Sequence, residues 1–410
     1  MRIAIISVHG CPLLPPGSRE AGGMNVYIAE SSREMAKRGI SIDIFSRWHD
    51  PAEPQVVELA PNVRVIHLEA GGRELRSKEE IYPLLPEFLR GVVAYQKTSG
   101  LHYDLVHSHY WLSGWVGTIL GRKWRVPHAV MFHTLGAVKN QARVGEHESA
   151  LRIATEQKVI RHADAIVVAT SQERAITERL YHVGPNKLHV IPAGVDLDLF
   201  QPIDREQARH RIGINGEKVL LFVGRPDPLK GLDILLGAVP HLEHPAGVRV
   251  LVVGDEAKDS AETLRLRQLV DTLDITSQVS FLGSVSHQSL PDYYNAADIC
   301  VIPSYYESFG MVAVEAMACG VPVVASRVGG LQTTIRDGEN GFLIPWHCPE
   351  PFAERIELLL GNEHLRHSQG IAARDSVQRF RWAAIVDRLL SVYETLRTEV
   401  STATGVVRTS

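Results

Sequence analysis

The segment Glu307-Ser-Phe-Gly-Met-Val-Ala-Val-Glu315, continued by Ala-Met-Ala-Cys-Gly-Val-Pro322, predicts a helix over 308–318, a tight turn and a strand over 322–325. A compact helix–turn–strand unit of this kind is a building block of parallel sheets covered by helices. The same alternation of short β-branched runs and longer amphipathic stretches extends outward from this segment to both ends of the chain. The sequence therefore predicts an α/β protein with parallel sheets.

The alternation restarts once, after a stretch at 192–202 that is rich in turn-forming residues and is typical of a linker. Two doubly wound, Rossmann-like domains follow, and we place them at 1–195 and 196–381, with a helix over 382–398 that crosses back to the first domain and a tail over 399–410. In the first half, strands are predicted at 2–7, 41–45, 63–67, 105–107, 128–132, 165–169 and 188–191, and helices at 25–38, 84–97, 112–123, 146–163 and 172–180. In the second half, strands are predicted at 219–223, 249–253, 279–282, 299–302, 322–325 and 341–343, and helices at 231–242, 261–273, 288–296, 308–318 and 351–360.

Two carboxylates eight residues apart, Glu307 and Glu315, flank the start of the predicted 308–318 helix. With Ser308 as its cap, Glu315 would lie about two turns inside the helix, on the face of the cap. Backbone N–H groups at such a helix start favour an anionic ligand such as a diphosphate. Carboxylates suit sugar and ribose hydroxyls because they accept strong hydrogen bonds. The pattern indicates a nucleotide-sugar site rather than a surface pair.

A second anion-binding signal follows the first strand of the second half, in Phe222-Val-Gly-Arg-Pro-Asp-Pro-Leu-Lys-Gly231. Arg225 and Lys230 are five residues apart across a proline-rich loop, past the end at which ligands of parallel sheets bind. Two cations there would neutralise a diphosphate leaving group. The alternative is an exposed basic loop, and the pair alone does not decide between them.

A pair of glycines, Gly22 and Gly23, opens the first predicted helix and would let backbone amides approach a phosphate closely. The motif is neither a dinucleotide-binding fingerprint nor an ATP-binding loop. Among the histidines, His107, His109 and His133 have a spacing that can bind zinc, but no neighbouring cysteine or carboxylate completes a set of ligands, and we predict no metal there. His9 and His133, at predicted strand ends, fit better as hydrogen-bonding partners of a sugar or an acceptor.

The composition excludes several classes of protein. A formal net charge of −4 provides no basic field that would collect nucleic acid or an anionic membrane surface. The four cysteines lack CxxC spacing, which argues against a disulfide scaffold or a zinc site and fits a reducing cytoplasm. The apolar stretch at the start is too short for a signal peptide, and no run of about 18 apolar residues predicts a membrane span. We therefore expect a cytoplasmic protein.

Four further motifs, together with those above, make the chain resemble the family-4 retaining glycosyltransferases of GT-B fold along essentially its whole length. The resemblance is strongest to the branch that modifies inositol phosphate in mycothiol synthesis. The motifs are Gly22-Gly23-Met-Asn-Val-Tyr27, Ser77-Lys-Glu-Glu80, His107-Ser-His-Tyr-Trp-Leu-Ser-Gly114 and Thr134-Leu-Gly-Ala-Val-Lys-Asn140.

The resemblance implies a role for each matching residue. The UDP-sugar donor would be bound by Gly22, Gly23, Arg225, Lys230, Val285, Glu307, Ser308, Phe309, Gly310 and Glu315. The acceptor phosphate would be bound by Lys78, Tyr110, Thr134 and Arg152, with His9 and Asn25 near the inositol ring. His133 matches the active-site histidine beside the donor sugar, and His133, Arg225, Lys230 and Glu307 are the residues assigned to catalysis. No obligatory cofactor or metal is implied, and a homodimer is plausible.

The resemblance leaves the acceptor open. The first choice is transfer of N-acetylglucosamine or glucose to 1D-myo-inositol 3-phosphate. Sucrose-phosphate synthases keep a Lys-Glu-Glu motif and a basic pocket for fructose 6-phosphate, so that acceptor is the alternative. The segment Gly-Gly-Met-Asn25 favours the inositol phosphate. A non-catalytic nucleotide-sugar sensor is an alternative from another class, and the complete set of acceptor-phosphate residues speaks against it.

Overall fold

The computed structural model describes residues 1–14, 22–141, 147–214, 216–254 and 260–404, with side chains through 399. Two separate sheets are present, one in each half of the chain. The first has eight strands in the order β3-β4-β2-β1-β5-β6-β7-β8 and is parallel except for the antiparallel edge strand β3. Its strands are β1 (Arg2–Ile6), β2 (Ser41–Arg47), β3 (Val56–Ala60), β4 (Val63–Leu68), β5 (Leu105–His109), β6 (His128–Met131), β7 (Ala165–Val168) and β8 (Leu188–Val190).

The second sheet has six parallel strands in the order β11-β10-β9-β12-β13-β14. Strand order reverses beside the first strand of each sheet, which is the doubly wound arrangement, and side chains from both faces of the sheets form the buried cores. Its strands are β9 (Lys218–Val223), β10 (Val248–Val253), β11 (Val279–Gly283), β12 (Ile299–Ile302), β13 (Val323–Ser326) and β14 (Gly341–Ile344).

Helices cover both faces of the sheets. In the first half they are α1 (Gly23–Ala36), α2 (Lys78–Ile81), α3 (Leu85–Ser99), α4 (Tyr110–Trp124), α5 (Gly136–Gln141), α6 (Ala150–His162) and α7 (Ser171–Tyr181). In the second half they are α8 (Arg205–Ile212), α9 (Leu232–Ala238), α10 (Ala261–Thr272), α11 (Leu290–Ala296), α12 (Met311–Ala318), α13 (Leu331–Thr334), α14 (Pro349–Gly361), α15 (Glu363–Ser376) and α16 (Trp382–Thr404).

All the predicted strands are confirmed, with ends shifted by one or two residues. The strand β3 was not predicted, because it is a short, partly exposed edge strand with no buried apolar run. The helices α8 and α15 were also missed, since both are polar on most of their surface. The helices α2, α5 and α13 were missed because they are only four to six residues long. The predicted start of α6 at 146 is too early, as the helix begins at Ala150; residues 142–146 lie outside the described part of the chain.

The prediction that Ser308 caps the helix after β12 is wrong. The helix begins at Met311, and its N-cap is Gly310, which has a left-handed backbone with φ of 91°. A left-handed residue is strained unless it is glycine, so Gly310 both ends the preceding loop and starts the helix. Residues 307–309 therefore form a loop ahead of the helix.

The last helix returns from the second half of the chain to the first. The Tyr393 hydroxyl shares a hydrogen bond of 2.5 Å with His107 Nδ1, and the Trp382 ring lies 5.6 Å from that of Tyr27. Where the linker passes this helix, a Cβ on Gly194 would lie 2.3 Å from the Trp382 ring, which explains the glycine. The helix extends to Thr404, so the predicted tail begins too early, and 405–410 lie outside the described residues. The domain boundaries at 195 and 381 stay predictions.

Candidate active site

A cleft of about 350 Å³ opens between the two halves of the chain. Residues at the carboxyl ends of β1, β5, β6 and β7 face loops that follow β9 and β12, which is where ligands of doubly wound sheets bind. The cleft is lined by fourteen of the predicted site residues: His9, Gly22, Gly23, Asn25, Lys78, Tyr110, His133, Thr134, Arg225, Lys230, Glu307, Ser308, Phe309 and Gly310. The fold thus brings predicted site residues from positions 9 to 310 together at one surface.

On the side of the second sheet, Lys230 and Glu307 form an ion pair. The Lys230 ammonium donates to Glu307 Oε2 at 2.7 Å, and both side chains are partly exposed in the cleft. Arg225 lines the same wall. An anion that enters here would meet two cations, Arg225 and Lys230. The carboxylate paired with Lys230 is a group that can accept hydrogen bonds from hydroxyls.

The two walls approach each other closely at Gly23. A Cβ on Gly23 would lie 3.1 Å from Met311 Sδ, at the start of α12. The first turn of α1 and the first turn of α12 therefore meet across the cleft. Helix N-termini present N–H groups that no intrahelical carbonyl accepts, so both walls offer donors to a phosphate placed between them.

The loop 307–309 rests on a pair of glycines that the sequence reasoning missed. A Cβ on Gly329 would lie 1.9 Å from the Glu307 carbonyl oxygen, and one on Gly330 would lie 2.4 Å from Phe309 Cα. The Gly330 amide also donates to the Glu307 carbonyl at 2.9 Å. Any side chain at either glycine would therefore clash with the backbone of this loop. The adjacent glycines after β13 were the only sequence signal for this support.

Glu315 and Val285 do not line the cleft. Glu315 is buried on α12; Tyr294 donates a hydrogen bond of 2.8 Å to its Oε2, and His287 Nε2 lies 3.5 Å from its Oε1. Burial pulls the pKa of His287 down, but the ion pair with Glu315 outweighs burial and leaves that pKa raised. Val285 is partly buried on the loop between β11 and α11. Glu315 thus lies apart from the residues that line the cleft, and its role in binding the donor stays a prediction.

The four residues predicted to bind the acceptor phosphate lie together, with two cations over the ring of Tyr110 and Thr134 bonded to one of them. The Lys78 ammonium lies 5.7 Å and the Arg152 guanidinium 4.7 Å from the centroid of Tyr110. Arg152 Nη2 donates to Thr134 Oγ1 at 3.1 Å. The His9 ring lies 4.5 Å from Tyr110 on the same side of the cleft. The fold therefore assembles residues that do not indicate a site individually into one cationic cluster.

Arg152 itself lies beneath the cleft surface. It is 2% exposed, and it pairs with Glu148 and Glu156, each at 2.8 Å. Glu156 is buried as well and accepts hydrogen bonds from the Gly136 amide and from Tyr181, which fixes the arginine from behind. Glu148 thus already pairs with the guanidinium that is predicted to bind the acceptor phosphate. Glu148 also pairs with Lys139, a lining residue that the predicted site did not include.

A row of three histidines runs from the core to the cleft. His109 Nδ1 and His133 Nε2 share a hydrogen bond of 2.9 Å, and the rings of His107 and His109 are 4.2 Å apart. Burial lowers the pKa of both His107 and His133 to about 3, so both rings are neutral at pH 7. His133 has a left-handed backbone with φ of 61°, a strained conformation that is typical of functional positions. It can offer one neutral hydrogen-bonding nitrogen to a sugar.

Two more polar residues complete the cleft. Asn25 is buried, and its Nδ2 donates to the Cys11 carbonyl at 2.6 Å. Glu173 is a lining residue that the sequence reasoning did not select, because its spacing from Thr170 is that of an ordinary helix cap. Its Oε2 accepts from the Ala169 amide at 2.7 Å, and burial raises its pKa to about 7.

Two doubly wound sheets face one cleft, with the Lys230–Glu307 ion pair on one wall and a cationic cluster on the other, as in the GT-B class of sugar-transferring enzymes. Comparison with known families agrees. The model described as "Glycosyltransferase Family 4" matches residues 21–199, and that described as "Glycosyl transferases group 1" matches residues 204–376. The chain belongs to the family-4 glycosyltransferases and is a hexosyltransferase.

Individual relatives cover the whole chain. A D-inositol 3-phosphate glycosyltransferase of Corynebacterium efficiens is 40% identical over 402 residues, which are 96% of this chain and 95% of the relative. The D-inositol 3-phosphate glycosyltransferase 2 of Catenulispora acidiphila is 43% identical over 405 residues, 96% of this chain and 94% of the relative. These names match the branch that the motifs indicated.

Solved structures give the same fold. The sucrose-phosphate synthase of Thermosynechococcus elongatus is 36% identical, with a TM-score of 0.91 over 97% of this chain and 99% of its own. The Anabaena protein HepE, solved in complex with UDP and glucose, is 22% identical, with a TM-score of 0.77 over 96% of this chain and 100% of its own. A separate finding concerns membranes: the helices in the described part of the chain include none that could span a bilayer.

Proposed function

We propose that this enzyme transfers a sugar, N-acetylglucosamine or glucose, from a UDP-sugar to a phosphorylated polyol, with 1D-myo-inositol 3-phosphate as the first choice. The proposal rests on the position of Lys78 and Arg152 over the Tyr110 ring, together with the hydrogen bond between Arg152 and Thr134. Cations and hydroxyl donors placed together are what a phosphate dianion requires. The relatives named D-inositol 3-phosphate glycosyltransferase support the choice of polyol.

The donor is assigned to the opposite wall. Arg225, Lys230 and the amides at Gly23 and Phe309 would hold the diphosphate, and Glu307 the sugar hydroxyls. HepE, which shares this fold, is solved with UDP and with UDP-glucose, and this supports a uridine donor in the same cleft. The ion pair between Lys230 and Glu307 fits a sugar diphosphate, since its cation is next to the phosphate side and its carboxylate next to the hydroxyls.

The reaction is proposed to retain the configuration of the anomeric carbon. The bond from that carbon to the diphosphate oxygen breaks while the acceptor hydroxyl bonds to the same face of the sugar. The hydroxyl proton passes to the departing phosphate oxygen, so the products are the glycoside and UDP, and no separate base is needed. Negative charge builds on the diphosphate in the transition state, where fixed cations and N–H groups stabilise it most. We propose that these cations make a metal at the diphosphate dispensable.

The test is UDP release, measured with each UDP-sugar and with phosphorylated or unphosphorylated polyols. We expect release only when the acceptor carries phosphate, and an α-linked product by NMR from the α-linked donor. Equal rates with inositol and inositol 3-phosphate, or an inverted product, would contradict the proposal. Activity should survive a brief exposure to EDTA; a loss that magnesium restores would overturn the metal-free mechanism.

The alternative acceptor is fructose 6-phosphate. The sucrose-phosphate synthase at 36% identity and a TM-score of 0.91 favours it, and a cationic phosphate pocket suits both sugar phosphates. The two acceptors differ in ring size and hydroxyl pattern, which His9 and Asn25 would contact, rather than in the group that Lys78 binds. Comparison of the two acceptors therefore tests the ring-binding residues.

A further inference from the structure

A second cluster of polar side chains lies outside the cleft, where β1, β2 and β4 end. Cys11 follows β1, His49 and Glu53 follow β2, and His67 is in β4. One ligand-type atom from each of these four residues lies within 4.8 Å of the other three. Cys11 is 1% exposed and His67 is 0% exposed, so both are buried, and the His49 side chain is 9% exposed. Nothing in the proposed reaction uses this cluster.

Three distances in the cluster are those of ligands around one ion. Cys11 Sγ lies 3.4 Å from His67 Nε2, His67 Nε2 lies 3.3 Å from Glu53 Oε2, and Glu53 Oε2 lies 3.6 Å from His49 Nε2. Zinc bonds of about 2.0–2.1 Å to nitrogen or oxygen and about 2.3 Å to sulfur place tetrahedral ligands roughly 3.3–3.6 Å apart. Three of the six separations therefore have the length expected between ligands of one zinc ion, and the other three are no longer than 4.8 Å.

The orientation of His67 supports a cation at the centre. Its Nδ1 donates to the Pro54 carbonyl at 2.8 Å, so its Nε2 is the ring atom that faces Cys11 Sγ and Glu53 Oε2. A cation held among these three atoms would bind the nitrogen, the sulfur and the carboxylate oxygen together. Metal-binding histidines almost always donate their other N–H to a carbonyl or carboxylate in this way.

We propose that Cys11, His49, Glu53 and His67 form a structural site for a divalent transition metal of the zinc type. A thiolate and two imidazoles select such a metal over magnesium and calcium, which prefer oxygen ligands. Four protein ligands leave no open position, so the site is structural rather than catalytic. The cysteine spacing gave no sign of this site and argued against zinc. The four ligands come from the ends of three different strands, so they do not form a spacing motif in the sequence.

The site is coupled to the cleft through one hydrogen bond. Asn25 lines the cleft and donates to the carbonyl of Cys11 at 2.6 Å. A metal that fixes Cys11 would therefore fix Asn25 through the same peptide unit. Asn25 is then positioned by the metal, whereas the cations around Tyr110 are held independently.

The test uses the full chain without a polyhistidine tag, stripped of metal and then dialysed against Zn²⁺ or Co²⁺. We expect about one metal per chain by elemental analysis, and with Co²⁺ the near-ultraviolet thiolate-to-cobalt absorption together with visible bands of a tetrahedral ion. Cys348→Ser, which changes the exposed cysteine, is the matched control and should keep both. Cys11→Ser should lose the thiolate band and weaken binding by on the order of 100-fold or more, beyond the loss typical of second-shell changes.

Wild-type protein that shows no thiolate–cobalt band, or a Cys11→Ser variant that binds metal as tightly as wild type, would overturn the site. If Cys11→Ser does not fold, two other variants decide the question. Cys348→Ser should keep the thiolate–cobalt band, and His49→Gln should lose that band and contain less metal. Metal content is independent of sugar transfer, so failure of this proposal and failure of the proposed function are distinguishable.

Discussion

The Lys230 ammonium and the Glu307 carboxylate lie 2.7 Å apart across the loops that follow β9 and β12. These residues are 77 positions apart in the chain, and each is partly exposed in the cleft. The pair holds a cation beside the expected diphosphate and a carboxylate beside the expected sugar hydroxyls. Its cation should matter most when charge develops on the leaving group.

Lys230→Ala should therefore lower kcat more than it raises KM for the donor. Loss of one preorganised donor to a developing oxyanion typically costs about 100- to 1,000-fold in kcat. Steady-state kinetics with varied UDP-sugar measures both constants. Lys218→Ala, at an exposed lysine on β9, is the control and should leave both unchanged. An unaltered kcat in Lys230→Ala would remove this residue from the mechanism.

Lys78→Ala should raise KM for the phosphorylated acceptor by about 10- to 100-fold, because a hydrogen bond to a charged group contributes roughly 1.5–3 kcal/mol. KM for the donor should stay within about twofold, since Lys78 lies on the opposite wall from Lys230. Initial rates with each substrate varied in turn separate the two effects. Lys97→Ala, at an exposed lysine on α3, is the matched control. A donor effect as large as the acceptor effect would contradict the assignment.

Glu148→Gln should lower KM for the phosphorylated acceptor. Glu148 pairs with both Lys139 and Arg152, so its carboxylate would compete with the acceptor phosphate for these two cations. Burial opposes ionisation of Glu148, but the ion pairs with Arg152 and with Lys139 outweigh burial and lower the pKa of its carboxyl, which is charged at pH 7. Removing a partly exposed ion pair changes binding by up to about 1 kcal/mol, so a two- to fivefold decrease is expected. Glu178→Gln, which breaks the ion pair with Arg174 outside the cleft, is the control. A raised KM would show that Glu148 positions the cations instead.

The buried histidines predict a loss of stability in mild acid. Burial lowers the pKa of His107 and of His128 to about 3, so the unfolded chain binds protons below pH 6.5 that the folded chain does not. The free energy of unfolding should fall by about 1.4 kcal/mol for each such histidine between pH 7.5 and 5.5. Denaturant unfolding at the two pH values measures the fall.

His107→Gln should reduce this pH dependence by about 1.4 kcal/mol, since one titrating group is removed. The exposed His102→Gln is the control and should leave the dependence unchanged. If His107→Gln shows the wild-type difference between pH 7.5 and 5.5, the histidine is not buried as a neutral ring.

Much of the fold could be predicted because its strands are short β-branched runs, which read clearly when both faces of a sheet are buried. The edge strand β3 and the polar helices α8 and α15 could not, as their sequences carry little apolar periodicity. The start of α12 was predicted too early because Ser308 is a common capping residue. The true cap is the left-handed Gly310, and the loop before it packs on Gly329, a contact between distant segments that the sequence does not reveal.

The site was predictable only where residues of one motif are neighbours in space. The link from Lys230 to Glu307 and the cluster on Tyr110 arise from long-range packing, and the resemblance to a family rather than spacing brought them together. Glu173 and Lys139 were missed because a helix cap and a lone lysine are ordinary in sequence. Cys11 and His67, 56 residues apart, become neighbours only when β1, β2 and β4 pair in one sheet.

The central claim is transfer of a sugar to a phosphorylated polyol, and acceptor preference tests it most directly. UDP release is measured at saturating UDP-N-acetylglucosamine and at saturating UDP-glucose, with 1D-myo-inositol 3-phosphate and with fructose 6-phosphate. The account predicts a kcat/KM for inositol 3-phosphate at least 100-fold higher, or roughly 2.7 kcal/mol of transition-state discrimination. Release with fructose 6-phosphate at the higher kcat/KM would contradict it.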